Sequence, residues 1–219
     1  MAVSPLWHPV AAAQMLRGGQ NIVAALLAGQ PLALWRSGSG AVQAWEDRCP
    51  HRGVPLSMGR VKGDQLACAY HGWQFAAQDG RCTAIPAMPD RPVPGKVCVK
   101  TYAALERQGM VWVNPADTAA GDAPPAQDPA AGVHLRSLGV DLPVAAIGAA
   151  LERSGFDQAA PHAWRGSLDG VATRVYALDA TPQWCLLHLF CDHAPPADQW
   201  SRRFAEIRAL RDAIEQRGA

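Results

Sequence analysis

No apolar run in this chain is long enough to cross a membrane as a helix. The longest, Ile22 to Leu27 and Trp184 to Cys191, fall far short of the roughly 20 residues a bilayer demands. Net charge is also nearly absent. With 20 Lys plus Arg against 19 Asp plus Glu the formal charge is +1, so there is no global basic field to hold phosphate backbones, and nucleic acid is not an expected partner. The opening Met1-Ala-Val-Ser-Pro reaches Trp7 and His8 without a basic stretch followed by an apolar core. A secretory signal is therefore not expected, and the cytoplasm is the expected compartment. No internal repeat is visible. What remains is an ordinary globular composition: 219 residues, 49% apolar and 18% charged, enough for one large or two small domains. In a reducing compartment six cysteines point to metal binding rather than disulfides wherever Cys and His stand close together.

Short apolar runs punctuated by turn residues give the first half an all-β reading. Asn21 to Leu27, Leu32 to Trp35 and Ala41 to Trp45 are separated by Gly29-Gln-Pro31 and Gly38-Ser-Gly40. Trp73 to Phe75 leads into Asp79-Gly80, and Val97 to Tyr102 and Met110 to Val113 flank Glu106 to Gly109 as two more strands. The stretch 116–132, built almost wholly from Ala, Pro, Asp and Gly, reads as a linker between a domain at 1–115 and another at 133–219. In the second, Leu142 to Ser154 predicts a helix, while Val171 to Leu178 and Gln183 to Asp192 predict paired strands. Pro196 and Asp198 then open a last helix whose Trp200, Phe204, Ile207, Leu210 and Ile214 recur on one face as core. Charge divides unevenly: residues 1–115 hold 11 basic and 6 acidic side chains, net +5, and the rest net −4. That basic excess is either a solvated surface or a dock for an acidic redox partner.

Cys49-Pro-His51-Arg-Gly53 and Cys68-Ala-Tyr-His71-Gly-Trp73 each join a thiolate to an imidazole and follow them with glycine, with 16 residues between His51 and Cys68. Four such ligands suit one small metal centre. In a Rieske [2Fe-2S] cluster two thiolates hold one iron and two imidazoles the other, so each loop contributes one ligand to each iron. A structural zinc site can also use two Cys and two His, but it commonly pairs like with like, whereas each loop here mixes them. Gly53 and Gly72 are expected to let the backbone turn sharply and bring amides near the sulfurs. The other cysteines, Cys82, Cys98, Cys185 and Cys191, have no metal spacing and are expected to be buried as small apolar residues.

At these residues the chain resembles the Rieske non-haem iron oxygenases, the family of aromatic ring dioxygenases and O-demethylases. Trp7-His-Pro-Val10, Asp47-Arg-Cys-Pro-His-Arg-Gly-Val-Pro-Leu-Ser57, Gly59-Arg-Val, Gly63-Asp, Cys68-Ala-Tyr-His-Gly-Trp-Gln-Phe75, Gly80, Ile85-Pro86 and Glu106-Arg-Gln-Gly-Met-Val-Trp-Val113 are similar to that family's N-terminal domain in wording and order. The resemblance implies a mainly β Rieske domain, an antiparallel β-sandwich with two cluster-binding loops, followed by a small α+β domain. Respiratory Rieske proteins carry an extra cysteine in each loop, where this chain has Val54 and Tyr70, and a serine where it has Trp73. The expected potential is accordingly at the low end of the Rieske range.

In the family, oxygen chemistry needs a second, mononuclear iron held by two His and a carboxylate, from Asp-x2-His-x4-His and a later Asp. The 87 residues after the linker are few for that domain. The one His-x4-His, His188 and His193, is preceded by Cys185 rather than Asp and lies on an expected strand, where residues five apart face opposite ways. No catalytic residue is assigned, a mononuclear iron is not expected, and His134 and His162 read as isolated. The second half faintly resembles the last strands and terminal helix of the catalytic domain with its iron-bearing middle left out. The implied role is an electron-transfer component, taking electrons from a reductase or ferredoxin and passing them to an oxygenase subunit in a homo- or hetero-oligomer. A true oxygenase subunit, acting by aromatic ring hydroxylation or O-demethylation, and a redox sensor are the alternatives.

Overall fold

The computed structural model describes residues 7–116 and 132–218. Three antiparallel sheets form its frame. In chain order the first half holds β1 (His8–Ala12), β2 (Ile22–Leu27), β3 (Gln30–Arg36), β4 (Val42–Glu46), β5 (Arg60–Lys62), β6 (Gln65–Ala67), β7 (Gln74–Ala76), β8 (Cys82–Ala84), β9 (Thr101–Arg107) and β10 (Met110–Asn114). They form a six-stranded sheet of order β1-β10-β9-β4-β3-β2 and a four-stranded sheet β5-β6-β7-β8. Trp35, Trp45, Phe75, Leu56 and Leu66, all fully buried, fill the space between these sheets. The hairpins β2–β3 and β9–β10 turn on Ala28-Gly29 and Gln108-Gly109, each pair with both φ positive. That is the two-residue turn whose twist matches the strands, and it explains why glycine recurs there.

In the second half come β11 (Val133–Val140), α1 (Val144–Arg153), β12 (Asp157–Ala160), β13 (Ala163–Leu168), β14 (Val171–Thr181), β15 (Trp184–Cys191) and α2 (Trp200–Gly218). The strands form one sheet, β11-β15-β14-β13-β12, with both helices on one face. Ile147 and Leu151 of α1 and Ile207, Leu210 and Ile214 of α2 pack onto Val175, Cys185, Leu187 and Leu189. Each such side chain taken fully out of water contributes about 1.5–3 kcal/mol. Helix α1 has no side-chain cap of its own; Asp179 of β14 accepts its first amide, from Val144, at 2.8 Å. A carboxylate there also suits the positive end of the helix.

Two hairpin tips of the first sheet dock on β14. Ala28 and Gly29 amides donate to the carbonyls of Asp179 and Ala180, both at 2.7 Å, and the Tyr176 hydroxyl donates to Gln108. Shared cores continue the contact, Leu178 with Val10, Leu27 and Val111, and Tyr176 and Phe190 with Trp112. The expected linker at 116–132 lies, except for Ala116 and Gly132, outside the described residues.

The mainly β reading stands, with differences at particular elements. Strand β1 escapes a period-two reading because all five of its residues are buried, and β11 because Leu135 is bulged between His134 and Arg136. A bulge inverts the alternation that reveals a strand. Strand β9 begins at Thr101, and the stretch before it makes only a single bridge, Arg81 to Cys98. Among the described residues no helix is long and apolar enough to cross a membrane.

Candidate metal centre

The two Cys–His loops lie at the end of the four-stranded sheet, the first between β4 and β5, the second between β6 and β7. Their backbones are folded alike. The Cys49 amide donates to Val54 and the Gly53 amide to Cys49; the Cys68 amide donates to Trp73 and the Gly72 amide to Cys68. Each cysteine therefore closes onto the residue five ahead, and the glycine four ahead closes back onto it. Those glycines sit at φ +73° and +70°, a left-handed conformation that costs other residues about 1–2 kcal/mol. The cysteine-to-glycine offset of four is the same in both loops although the histidine offset differs. Asp47 staples the base of the first loop by accepting from the Ser57 amide and hydroxyl, both at 2.6 Å.

Cys49 and Cys68 point inward and are buried, while His51 and His71 are exposed. The imidazoles face one another with Nδ1 atoms 3.0 Å apart. Trp73 lies flat against His51, rings 4.3 Å apart and 5° from parallel, and Tyr70 leans on His71. Burial pushes the Cys49 thiol up to about 11, and the adjacent Cys68 thiol adds to the rise. The His51 and Arg52 amides, donating to the Cys49 sulfur, work the other way. The expected Gly53 and Gly72 amides thus close the turns, and the sulfur takes its donors from the two residues before Gly53. Partial desolvation, His71 and Arg52 hold His51 below the ordinary histidine range.

This donor set fits a binuclear cluster. The buried Cys49 thiol resists ionisation, and a nearby cation favours the thiolate that a metal needs; Cys68 is buried next to it, and the two imidazole nitrogens face one another. Among the described residues no three His, Cys, Asp or Glu side chains converge on a single metal ion, and a [2Fe-2S] centre asks only two protein ligands of each iron. Beside the first loop a polar cavity of about 390 Å³ is lined by Arg48, Arg52, Lys100 and Cys98. Cys98, expected to be buried, is exposed; its neighbour Val99 points into the core, and in extended chain that turns Cys98 outward. Cys82, Cys185 and Cys191 are buried as expected.

The other histidines are arranged as the sequence could not foretell. His188 on β15 faces the first half of the chain, whereas His193 lines a separate cavity with Asp192 and Arg203, so the two do not converge. Neither His134 nor His162 is isolated: His134 is joined through the Ser137 hydroxyl to His188, and His162 packs on His8 with ring centres 4.8 Å apart. Burial pushes His188 down to about 3 and His162 to about 4, neighbouring histidines adding to each shift. These pairings span 54 and 154 positions, and no local pattern announces them.

Residues 6–103 match the model of the Rieske [2Fe-2S] domain. The chain is 42% identical over 106 residues to Oxidoreductase NdmD of Pseudomonas putida, 48% of this chain and 18% of that protein. It is 43% identical over 108 residues to the 3-chlorobenzoate-3,4-dioxygenase oxygenase subunit of Comamonas testosteroni, 49% of this chain and 25% of that one. The chain thus spans about a quarter or less of the length of these curated relatives. Among solved structures, apo dicamba monooxygenase matches with a TM-score of 0.75 and 19% identity over 98% of this chain and 86% of its own. NdmA of Pseudomonas putida matches at 0.73 and 20% over 96% and 81%. At such identities the likeness is one of fold. Over residues 6–103, the first half of this chain is thus similar to the Rieske [2Fe-2S] domain, and an oxygenase subunit is among the relatives that share that half.

Proposed function

We propose that this chain is a one-electron carrier in which Cys49 and Cys68 bind one iron of a [2Fe-2S] cluster, His51 and His71 the other, serving a terminal non-haem iron oxygenase site in another chain. The observation that carries this is the split in burial, thiols inside and imidazoles exposed at one end of the molecule. When bound, such a cluster accepts and releases one electron at a time. The chain's own residues do the rest. Amides of His51 and Arg52 favour a thiolate at Cys49, Trp73 fixes the His51 ring, and Arg48, Arg52 and Lys100 beside the first loop suit an acidic donor such as a reductase or ferredoxin.

Two features support an acceptor site outside this chain. The space between the helices and the five-stranded sheet is filled by apolar side chains, Ile147, Leu151, Ile207, Ile214, Cys185 and Leu187 among them. NdmA, of whose curated length 111 matched residues make only 31%, is much the longer protein, yet 96% of this chain follows 81% of its solved structure. That is consistent with a shortened second domain at 133–219. A second reading, a Rieske oxygenase subunit with its own substrate, is favoured by the extent of the same fold match. Metal analysis separates them. A carrier holds two irons and two labile sulfides per chain, and His188→Ala leaves that count at two; a third, chelatable iron with substrate-dependent oxygen uptake overturns the carrier reading.

A further inference from the structure

Of the five large apolar side chains that stand exposed, three belong to the cluster end of the four-stranded sheet: Met58 at 67%, Tyr70 at 59% and Met88 at 37%. Sheet register puts them there. Arg60 pairs with Ala67, Ala67 with Gln74 and Gln74 with Ala84, so the start of β5, the end of β6, the start of β7 and the end of β8 form one row. The chain just before Arg60 carries Met58, the chain between Ala67 and Gln74 carries Tyr70 and His71, and the chain just after Ala84 carries Met88. Contacts hold the last two against the second loop. Tyr70 leans on His71 with ring centres 3.8 Å apart. Pro86 lies 3.1 Å from where a Cβ on Gly72 would stand, and the Met88 amide closes the next turn on the Ile85 carbonyl at 2.8 Å. The remaining two, Met15 and Leu26, belong to a cavity against β14 and β15.

Charge at this end is almost all of one sign. The segments 48–60, 68–73 and 85–100 carry Arg48, Arg52, Arg60, Arg91, Lys96 and Lys100 against Asp90 alone. All six cations are exposed, and among the described residues none of them forms an ion pair. The thiols are backed by the buried Trp45, Leu66 and Phe75, so the short approach for a partner is over the imidazoles. Apolar contacts rimmed by charge make a protein interface, the charges steering encounter and the apolar groups holding it. A partner covers roughly 800 Å² of the surface it sits on. Two partners centred on the same pair of imidazoles therefore exclude one another.

We infer that this end is one docking face for an acidic redox protein, with Met58, Tyr70 and Met88 seating its apolar centre over His51 and His71, and that electron donor and acceptor take turns on it. The inference rests on the electron-carrier reading and adds to it an order of events: the donor leaves before the acceptor arrives.

Calorimetry on the iron-loaded full chain tests this with a gallium-substituted plant-type ferredoxin, an acidic protein that docks without passing an electron. It should bind about tenfold more weakly in about 0.5 M salt than in about 0.02 M. Met58→Ser combined with Met88→Ser should weaken binding about tenfold at low salt, whereas Met15→Ser combined with Leu26→Ser should leave it unchanged. An acidic blue-copper protein, standing in for the acceptor, should displace the ferredoxin. Dithionite is added to the same samples, and failure to bleach the visible spectrum overturns the carrier reading and this inference with it. In a chain that does bleach, no ferredoxin binding, binding indifferent to salt, equal losses from the two double variants, or both proteins bound at once would each overturn the inference alone.

Discussion

His51 and His71 stand exposed with their Nδ1 atoms 3.0 Å apart, Trp73 stacked on the one ring and Tyr70 leaning on the other. His188, between the two halves, is shut from solvent, and its Nδ1 is held by Ser137. The same side chain therefore serves opposite ends. On a loop outside a sheet it is free to meet a metal and a partner; on a central strand it is neutralised by burial and becomes a fixed donor. The backbone around each makes the difference. The cluster loops bend through left-handed glycines and turn their cysteines inward, whereas β15 runs straight between β11 and β14 and gives every residue a fixed face.

The contrast breaks most completely at the cysteines. Cys49→Ser or Cys68→Ser is expected to remove both irons and both labile sulfides and to abolish the visible spectrum, because the centre ties the two loops together. Loss of only part of the iron would mean that the second half holds metal too. Acid should act on the other side of the comparison. His188 and His162, held to about 3 and about 4, cannot take up the proton that an unfolded histidine accepts near 6.5. Stability is indifferent to them above that pH and falls below it, by roughly 1.4 kcal/mol per pH unit for each until the folded value is reached. Urea unfolding at pH 7 and 5.5 measures this, and His162→Asn, which tolerates the φ of +62° there, should flatten the slope by about one proton.

Two glycines sharpen the comparison at smaller scale. Gly72→Ala places a Cβ at φ +70° and 3.1 Å from Pro86 and should cost about 1–2 kcal/mol. Gly148→Ala, in α1, meets nothing nearer than 3.9 Å and should stabilise by about 0.5–1 kcal/mol. Thermal unfolding of both variants checks the opposite signs. A change of similar size, read as a potential, is expected at Trp73→Ser. One added hydroxyl near the cluster, worth about 1 kcal/mol as a hydrogen bond, would raise a one-electron potential by roughly 40 mV. Redox titration followed in the visible spectrum measures it, and an unchanged or lowered potential would count against the hydroxyl's role.

Much of this was legible in one dimension where the chemistry is local. The paired Cys–His loops, the hairpin glycines and the apolar stripe of Ile207, Leu210 and Ile214 are set by neighbours within a few residues. Strand β1 was hidden because both of its faces are buried, and β11 because one bulged residue inverts its alternation. Cys98 was misread because a cysteine's type says buried while Val99 beside it had already claimed the inward face. The equal cysteine-to-glycine offset was present in the sequence and could have been found by aligning the loops on glycine rather than histidine.

By itself the sequence determined the residue types that a binuclear cluster requires and the mainly β character of the fold, since both rest on short-range spacing. Tertiary structure alone decided that thiols face in and imidazoles out. It also decided that Asp179 caps a helix 35 positions away in sequence and that Gln14, His134, Ser137 and His188 form one hydrogen-bonded chain across the two halves. The physical reason is that hydrogen bonds and burial depend on distance in space, which sheet pairing sets between residues that local sequence pattern cannot connect.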